Sequence, residues 1–289
     1  MRDELKDEYN ILDFQEKLLE IMVYIDRFCS DNKIDYCLMA GSALGACRHK
    51  GFIPWDDDID IYMTESDYNK FRKVFAKRGD HTHYYLQEWG KTTFKKHNMI
   101  TMAKIRLNDS QIQEKAYQGW KMHQGVFVDI FILHNCADNK IGQLYQYIWS
   151  EAVVLKGLET RGYVPKSTKD KVLLSISKLI PKNFVLKYGL QNAYKYQKMR
   201  SNFTHGFIDT RSFSRSVFPS KIMFPAIYTD FEKVKLKVPA NIDAYLRIQF
   251  GEDYMILPPV GKRPINKHTS NWSVNSAKYT DFSDEDKLI

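Results

Sequence analysis

Residues 39–63 read MAGSALGACRHKGFIPWDDDIDIYM. The segment that runs into them, DYCLMAG, is short and apolar and ends at Gly41, which predicts a strand. SALGACRHK then predicts a helix with Ser42 as its N-cap, and GFIP breaks it. DIDIYM alternates acid and isoleucine before its aromatic end, the period of a half-buried strand. On such a strand Asp58 and Asp60 share one face while Ile59 and Ile61 take the other.

Asp56, Asp57, Asp58 and Asp60 crowd carboxylates into one short segment. Neighbouring carboxylates repel, and each raises the other's pKa unless a cation lies between them. An acidic run in an arbitrary chain is usually a solvated turn. Three features here favour a cation site. The acids alternate with isoleucine, they lie beside Phe52, Pro54 and Trp55, and they follow a strand that ends in Gly-Ser. Mg²⁺ suits such a pair, since it takes one or two carboxylates and fills its shell with substrate phosphate oxygens. A Gly-Ser that opens a helix offers backbone N–H groups to phosphate, with the Ser42 hydroxyl as a further donor. Asp129 lies alone among apolar residues in GVFVDIFIL and is the candidate third carboxylate. A strand-end acid facing solvent is its plain alternative.

The 289 residues are 44% apolar, 27% charged and 14% aromatic, a globular composition with enough apolar content for one large domain or a core with a smaller lobe. The net charge of +8 suits an anionic ligand, polymer or membrane surface. No helix-turn-helix, zinc or RNA-recognition signature is present, and Lys and Arg read as scattered, so nucleic acid is not an expected partner. The opening MRDELKDEYN lacks the apolar segment of a secretory leader, and no run reaches the roughly eighteen apolar residues of a spanning helix. These features predict a cytoplasmic chain. The basic helical middle suggests peripheral contact with the anionic inner face of the membrane. Cys29, Cys37, Cys47 and Cys136 lack C-x-x-C spacing and read as free thiols, and His81, His83 and His97 are not spaced as metal ligands.

Residues 11–28 carry a helical apolar stripe, SDYNKFRKVFAKR a second helix, and YYLQEW, MITMAKIRL and GVFVDIFIL read as strands. The expected class is α/β in the α+β sense, a sheet with flanking helices. Residues 141–158, 169–180 and 184–200 read as helical, and from 201 the chain reads as irregular, with KVKLKVP a strand. The organisation expected is a core over 1–137 and a helical and irregular C-terminal portion over 138–289 that completes the site, in one continuous domain.

GSALGACRHKGFIPWDDDIDIYM resembles the signature of the LicD family, the LicD/fukutin group of phosphotransferases. AKIRLNDS at 103–110, GVFVDIF at 125–131 and FGEDYMILPPVGKRPINKH at 250–268 resemble further family segments. The resemblance implies a nucleotidyltransferase-like mixed sheet core in which Gly-Ser and D-x-D form the nucleotide and metal centre. It also implies a reaction, transfer of a phospho-alcohol from a CDP-activated donor to a glycan hydroxyl with release of CMP. Bacterial members typically move phosphocholine from CDP-choline onto lipopolysaccharide, teichoic acid or capsule units, while related eukaryotic members use CDP-ribitol. A ribitol or glycerol carrier would need polar groups where choline needs an aromatic cage. The zinc-finger insertion of the muscle-disease branch has no counterpart here.

Carried over by position, Asp58, Asp60 and Asp129 would bind Mg²⁺ or Mn²⁺ and serve catalysis, and Gly41 and Ser42 would face the donor phosphates. Arg48, Lys104, Arg106, Arg263 and His268 lie in matching segments as cations for the donor. Each has a plainer reading: surface charge for Arg48, a solvated strand edge for Lys104 and Arg106, a structural hydrogen bond for His268. Trp55 reads first as packing under the acidic loop and second as a base-stacking ring. A nucleotidyltransferase that moves NMP, and a non-catalytic glycan or membrane-surface module, are the rival readings.

Overall fold

The computed structural model describes residues 9–88, 102–114, 122–160, 162–165, 167–209, 212–263 and 269–274. Apolar residues at helical spacing make its first element, α1 (Leu12–Asp31), which buries Phe14, Leu18, Ile21, Met22, Ile25, Phe28 and Cys29 along one stripe. Strand β1 (Cys37–Leu38), helix α2 (Ala40–Arg48) and strand β2 (Asp60–Thr64) follow. Thr64 then caps α3 (Glu65–Arg78) by accepting from the Asp67 N–H at 3.1 Å. Strands β3 (Tyr84–Glu88), β4 (Ala103–Leu107), β5 (Ser110–Glu114) and β6 (Phe127–Cys136) complete the first half.

The main sheet runs β1-β2-β6-β4-β3. β2 and β6 are parallel, and the other neighbours along that path are antiparallel. Because side chains alternate, one face presents Ile61, Met63, Ile105, Val128 and Ile130, all buried, against α1 and α3. Truncating one of these to alanine would cost about 2–5 kcal/mol. The opposite face carries the polar residues described below. This mixed sheet flanked by helices is the expected fold class.

Helices α4 (Lys140–Thr160) and α5 (Thr168–Leu179) leave the end of β6. Short helical turns follow, Lys182–Phe184 and Leu190–Ala193 with a π-turn at Val185–Gly189 between them, so the continuous helix expected over 184–200 is broken. The chain then returns to the sheet. β7 (Phe203–His205) pairs with the far end of β6, and β8 (Val217–Pro219) pairs with β7. A hairpin of β9 (Ile227–Phe231) and β10 (Val234–Val238) packs β10 on β1 and α1, and α6 (Ile242–Phe250) packs on α2. β11 (Thr269–Val274) pairs with β5. The region after 201, expected to be largely irregular, is therefore built mostly of short elements, and three-residue strands are too brief to show a period. No described helix is long and apolar enough to cross a membrane.

Candidate active site

Helix α2 begins two residues before the expected N-cap. Its cap is Met39, and Ser42 lies inside the first turn, because the Ser42 hydroxyl is engaged elsewhere. The Asp60 N–H donates to Ser42 Oγ at 2.9 Å, and the Met39 N–H donates to the Asp60 carbonyl at 2.9 Å. Both backbone groups of Asp60 are thus held by the start of α2. Ala40 makes the sharp entry with φ of 44°, and its N–H donates to the Tyr245 hydroxyl of α6 at 2.9 Å.

The acidic loop before β2 is held from both ends of the chain. Gln15 of α1 donates to the carbonyls of Ile53 (3.2 Å) and Asp56 (2.7 Å), and the Phe52 N–H donates to Glu232 at 2.9 Å. Trp55 is buried beneath it, with the Arg263 guanidinium 4.7 Å from its ring centre. Asp56 fills the space at Gly41, where a Cβ would lie 2.6 Å from Asp56 Oδ2. A side chain at Gly41 would have to displace that carboxylate.

From this loop the acids enter the sheet. Asp60 is in register with Asp129 on β6, Asp129 with Lys104 on β4, and Lys104 with Gln87 on β3. The four form one polar row across four strands, on the face away from α1 and α3. Lys104, only 2% exposed, places Nζ 2.8 Å from Asp129 Oδ1 and 3.3 Å from the centre of the Phe127 ring. Arg106 lies behind it, fully buried, with Nε donating to Gln87 Oε1 at 2.7 Å and a terminal nitrogen donating to the Gly125 carbonyl at 2.8 Å. Burial of both side chains removes the reading of Lys104 and Arg106 as a solvated edge.

The electrostatics follow from this crowding. Burial, then the charges of Asp58, Asp129 and Asp56, push the Asp60 carboxyl well above the usual range, and Lys104 pulls the other way. Burial and the charges of Asp58 and Asp57 raise Asp56 as well. A sixth carboxylate joins from beyond the helices. Asp209 follows β7 and meets Tyr62 over Gly206, where a Cβ would lie 2.5 Å from the Tyr62 hydroxyl and 2.9 Å from Asp209 Oδ2. Burial raises Asp209 well above the usual range, the Tyr62 phenol restrains that rise, and Asp129 adds to it. Sequence reasoning missed Asp209, since GFIDT has neither alternation nor an acidic neighbour to single it out.

The remaining candidates lie apart from the row. Arg48, at the end of α2, donates to the Tyr254 carbonyl at 2.9 Å and ties the helix to the 254–256 loop. Arg263 also donates to the Tyr9 hydroxyl at 2.9 Å. His268 lies outside the described residues.

Among the described residues no three acid, imidazole or thiol groups form a ready-made metal cage. The donor set fits a hard cation nonetheless. Asp60 and Asp129 are brought side by side by register, with Asp58 close enough to raise Asp60, and one or two carboxylates suffice where phosphate and water oxygens complete the shell.

Residues 33–141, which contain α2, the acidic loop and the polar row, match the family model described as LicD/FKTN/FKRP, nucleotidyltransferase domain. That segment is similar to a LicD-type nucleotidyltransferase domain. Over 255 residues, 83% of this chain and 89% of the relative, the chain is 28% identical to the lipopolysaccharide cholinephosphotransferase LicD of Haemophilus influenzae. Shorter matches link it to an uncharacterised protein of Rickettsia typhi, 37% identical over 60 residues (21% of this chain, 19% of the relative). Another, in Rickettsia prowazekii, is 40% identical over 50 residues (17% of this chain, 19% of the relative). Asp209, Glu232 and Tyr245 lie beyond the segment matched as the LicD domain, so the site in this chain draws on residues from both sides of its boundary.

Proposed function

We propose that this chain transfers a phospho-alcohol group, phosphocholine first among the candidates, from its CDP-activated donor to a hydroxyl of a cell-surface glycan such as a lipopolysaccharide, releasing CMP. The single observation that carries the reading is the in-register row of Asp60, Asp129 and Lys104 beneath the Asp56–Asp58 loop, in a segment that matches a nucleotidyltransferase domain. The named Haemophilus influenzae relative, similar along nearly its whole length, supports the choice of phosphocholine.

Asp58, Asp60 and Asp129 are the groups that would hold Mg²⁺ or Mn²⁺, and the ion when bound neutralises phosphate oxygens and charge on the leaving group. Ser42 fixes the backbone of Asp60 and so the direction of its carboxylate. Lys104 balances the charge of Asp129 with its ammonium 2.8 Å from Oδ1. An acceptor hydroxyl oxygen attacks the phosphorus that bears the alcohol. The bond from that phosphorus to the bridging oxygen breaks, CMP leaves with the bridging oxygen, and the hydroxyl proton passes to a carboxylate. Asp56, which is not among the acids that would hold the ion and whose carboxyl is raised by burial and by its acidic neighbours, is suited to take it.

The domain name favours one rival specifically, transfer of a nucleotidyl group with loss of pyrophosphate. CDP-choline, CDP-ribitol and CDP-glycerol, each with Mg²⁺ or Mn²⁺, separate the possibilities when thermal stabilisation and CMP release are read together. Stabilisation by CDP-choline that Asp58→Ala/Asp60→Ala abolishes is the expected result. A response to CDP-ribitol or CDP-glycerol alone would change the cargo. No response to any of the three, with pyrophosphate released from a nucleoside triphosphate, would replace the reading by the rival.

A further inference from the structure

The reading of Lys and Arg as scattered does not hold, because the positive charge is concentrated in one segment. Residues 140–200 carry twelve Lys and Arg against three Asp and Glu, a net +9, while the whole chain is +8, so everything else together is close to neutral. The helices of this segment also expose apolar side chains in register. On α4, Ile141, Leu144 and Ile148 follow one another at helical spacing, 83%, 48% and 57% exposed. On α5, Val172, Ile176 and Leu179 do the same, with Leu179 at 83%. A cavity of about 340 Å³ lined by Ile148 and Ile176 opens between the two helices and joins the stripes. Lys169, Lys171 and Lys178 are exposed around them. Inside, Lys156 holds the two helices together, donating to Glu159 at 2.7 Å and to the Ser177 carbonyl at 2.6 Å.

We infer that this face of α4 and α5 seats on an anionic lipid surface. Apolar stripes rimmed by lysine match a bilayer interface, where the stripes enter the acyl boundary and the ammonium groups reach the headgroup phosphates. Charge complementarity decides the occupant. A second copy docked through the same face would bring one strongly basic surface against another, whereas an anionic bilayer offers the opposite sign. The inference stands apart from the transferase reading, because seating on lipid requires no donor and no catalytic acid.

The test is co-sedimentation of the full chain with phosphatidylcholine vesicles, with and without phosphatidylglycerol. It is run at low ionic strength and again near about 1 M salt, where the screening length falls to about 3 Å. Two variants accompany the wild type, Ile141→Glu/Leu179→Glu and Lys171→Glu/Lys178→Glu, all at exposed positions so that thermal midpoints stay near wild type. Binding to phosphatidylglycerol vesicles alone, weakened by salt and reduced at least about twentyfold in either variant, is expected, since each basic residue at the surface contributes about fivefold. Three results would overturn the inference: no binding at low salt, equal binding to neutral vesicles, or variants that bind like wild type. So would a concentration-dependent dimer that Ile141→Glu/Leu179→Glu dissolves while wild type ignores lipid, which would give the face to a second copy. CMP release in solution stays unchanged in both variants, so failure here and failure of the transferase reading are told apart.

Discussion

Asp60 and Asp129 stand in register on the parallel strands β2 and β6, so two acids that repel each other are fixed as neighbours by the backbone of the sheet. Directly opposed like charges weaken a strand pair. The chain accepts that cost at this point and offsets it with Lys104 on the far side of Asp129.

Replacing Asp60 with Asn should therefore stabilise the cation-free protein. Its carboxyl is raised in the folded state, so the fold binds protons that the unfolded chain releases, and stability falls as pH rises from about 4 through the folded pKa. At neutral pH and without cation the Asn variant melts at a higher temperature than the wild type, and the difference shrinks as pH falls towards 4. The same variant loses stabilisation by Mn²⁺. In the wild type that stabilisation is larger at pH 8 than at pH 5, where the ion must displace protons. A wild-type Mn²⁺ response independent of pH and retained in Asp60→Asn would remove the acids from the cation site.

Lys104 and Asp129 form a buried pair in which each needs the other. Lys104→Met leaves Asp129 without its balancing ammonium and costs about 3–5 kcal/mol, whereas Lys104→Met/Asp129→Asn recovers most of that loss. A double-mutant cycle by urea denaturation measures the coupling, and additive losses would show that the pair is not a unit.

The start of α2 sets the acids in place. Ser42→Ala leaves the Asp60 N–H without its hydroxyl acceptor and costs about 1–3 kcal/mol. Gly41→Ala forces Asp56 aside, costing about 1–3 kcal/mol through overpacking. Both should weaken the cation response more than a comparably destabilising change in α5 does, which thermal shift with Mn²⁺ compares directly.

Acid sensitivity has a second source away from the acids. His134, buried on β6 and hydrogen-bonded to Gln197 at 3.0 Å, is pushed down to about 4 by burial, and His205 opposite it is also lowered. A histidine depressed in the fold binds fewer protons there than in the unfolded chain. Its stability contribution is present above about 6.5 and is lost as pH falls towards 4. Urea midpoints measured down to about pH 4 should fall over that window in the wild type and fall less steeply in His134→Gln.

Much of this was readable in the residues themselves. The alternation in DIDIYM gave β2 and its two faces from Asp60 onward, while Asp58, expected on the same strand face, lies in the loop before it; a lone acid in GVFVDIFIL marked the position that register places beside Asp60. What escaped depends on contacts between distant segments. Ser42 looks like a cap because its type suits one, and only the arrival of Asp60 explains why its hydroxyl is used otherwise. Asp209 has no local signal and matters only because β7 carries it back beside Tyr62. Arg106 resembles a phosphate ligand in sequence, yet its guanidinium is held by Gln87 and the Gly125 carbonyl, two groups that pairing of β3 and β4 and the approach to β6 bring to it. Local patterning encodes the strands, and chain return encodes the partners.

The parallel pairing of β2 with β6 also dictates an order of assembly. Asp60 meets Asp129 only after the whole of 61–128 has been looped between them, and Asp209 follows later still from beyond α4 and α5. Closing such long loops is slow and is repaid only when the apolar face of the sheet covers α1 and α3. Until β2 and β6 pair, Asp129 stays apart from the Asp56–Asp60 cluster, and the pairing that sets Ile61 beside Ile130 in the core is the same one that sets Asp60 beside Asp129.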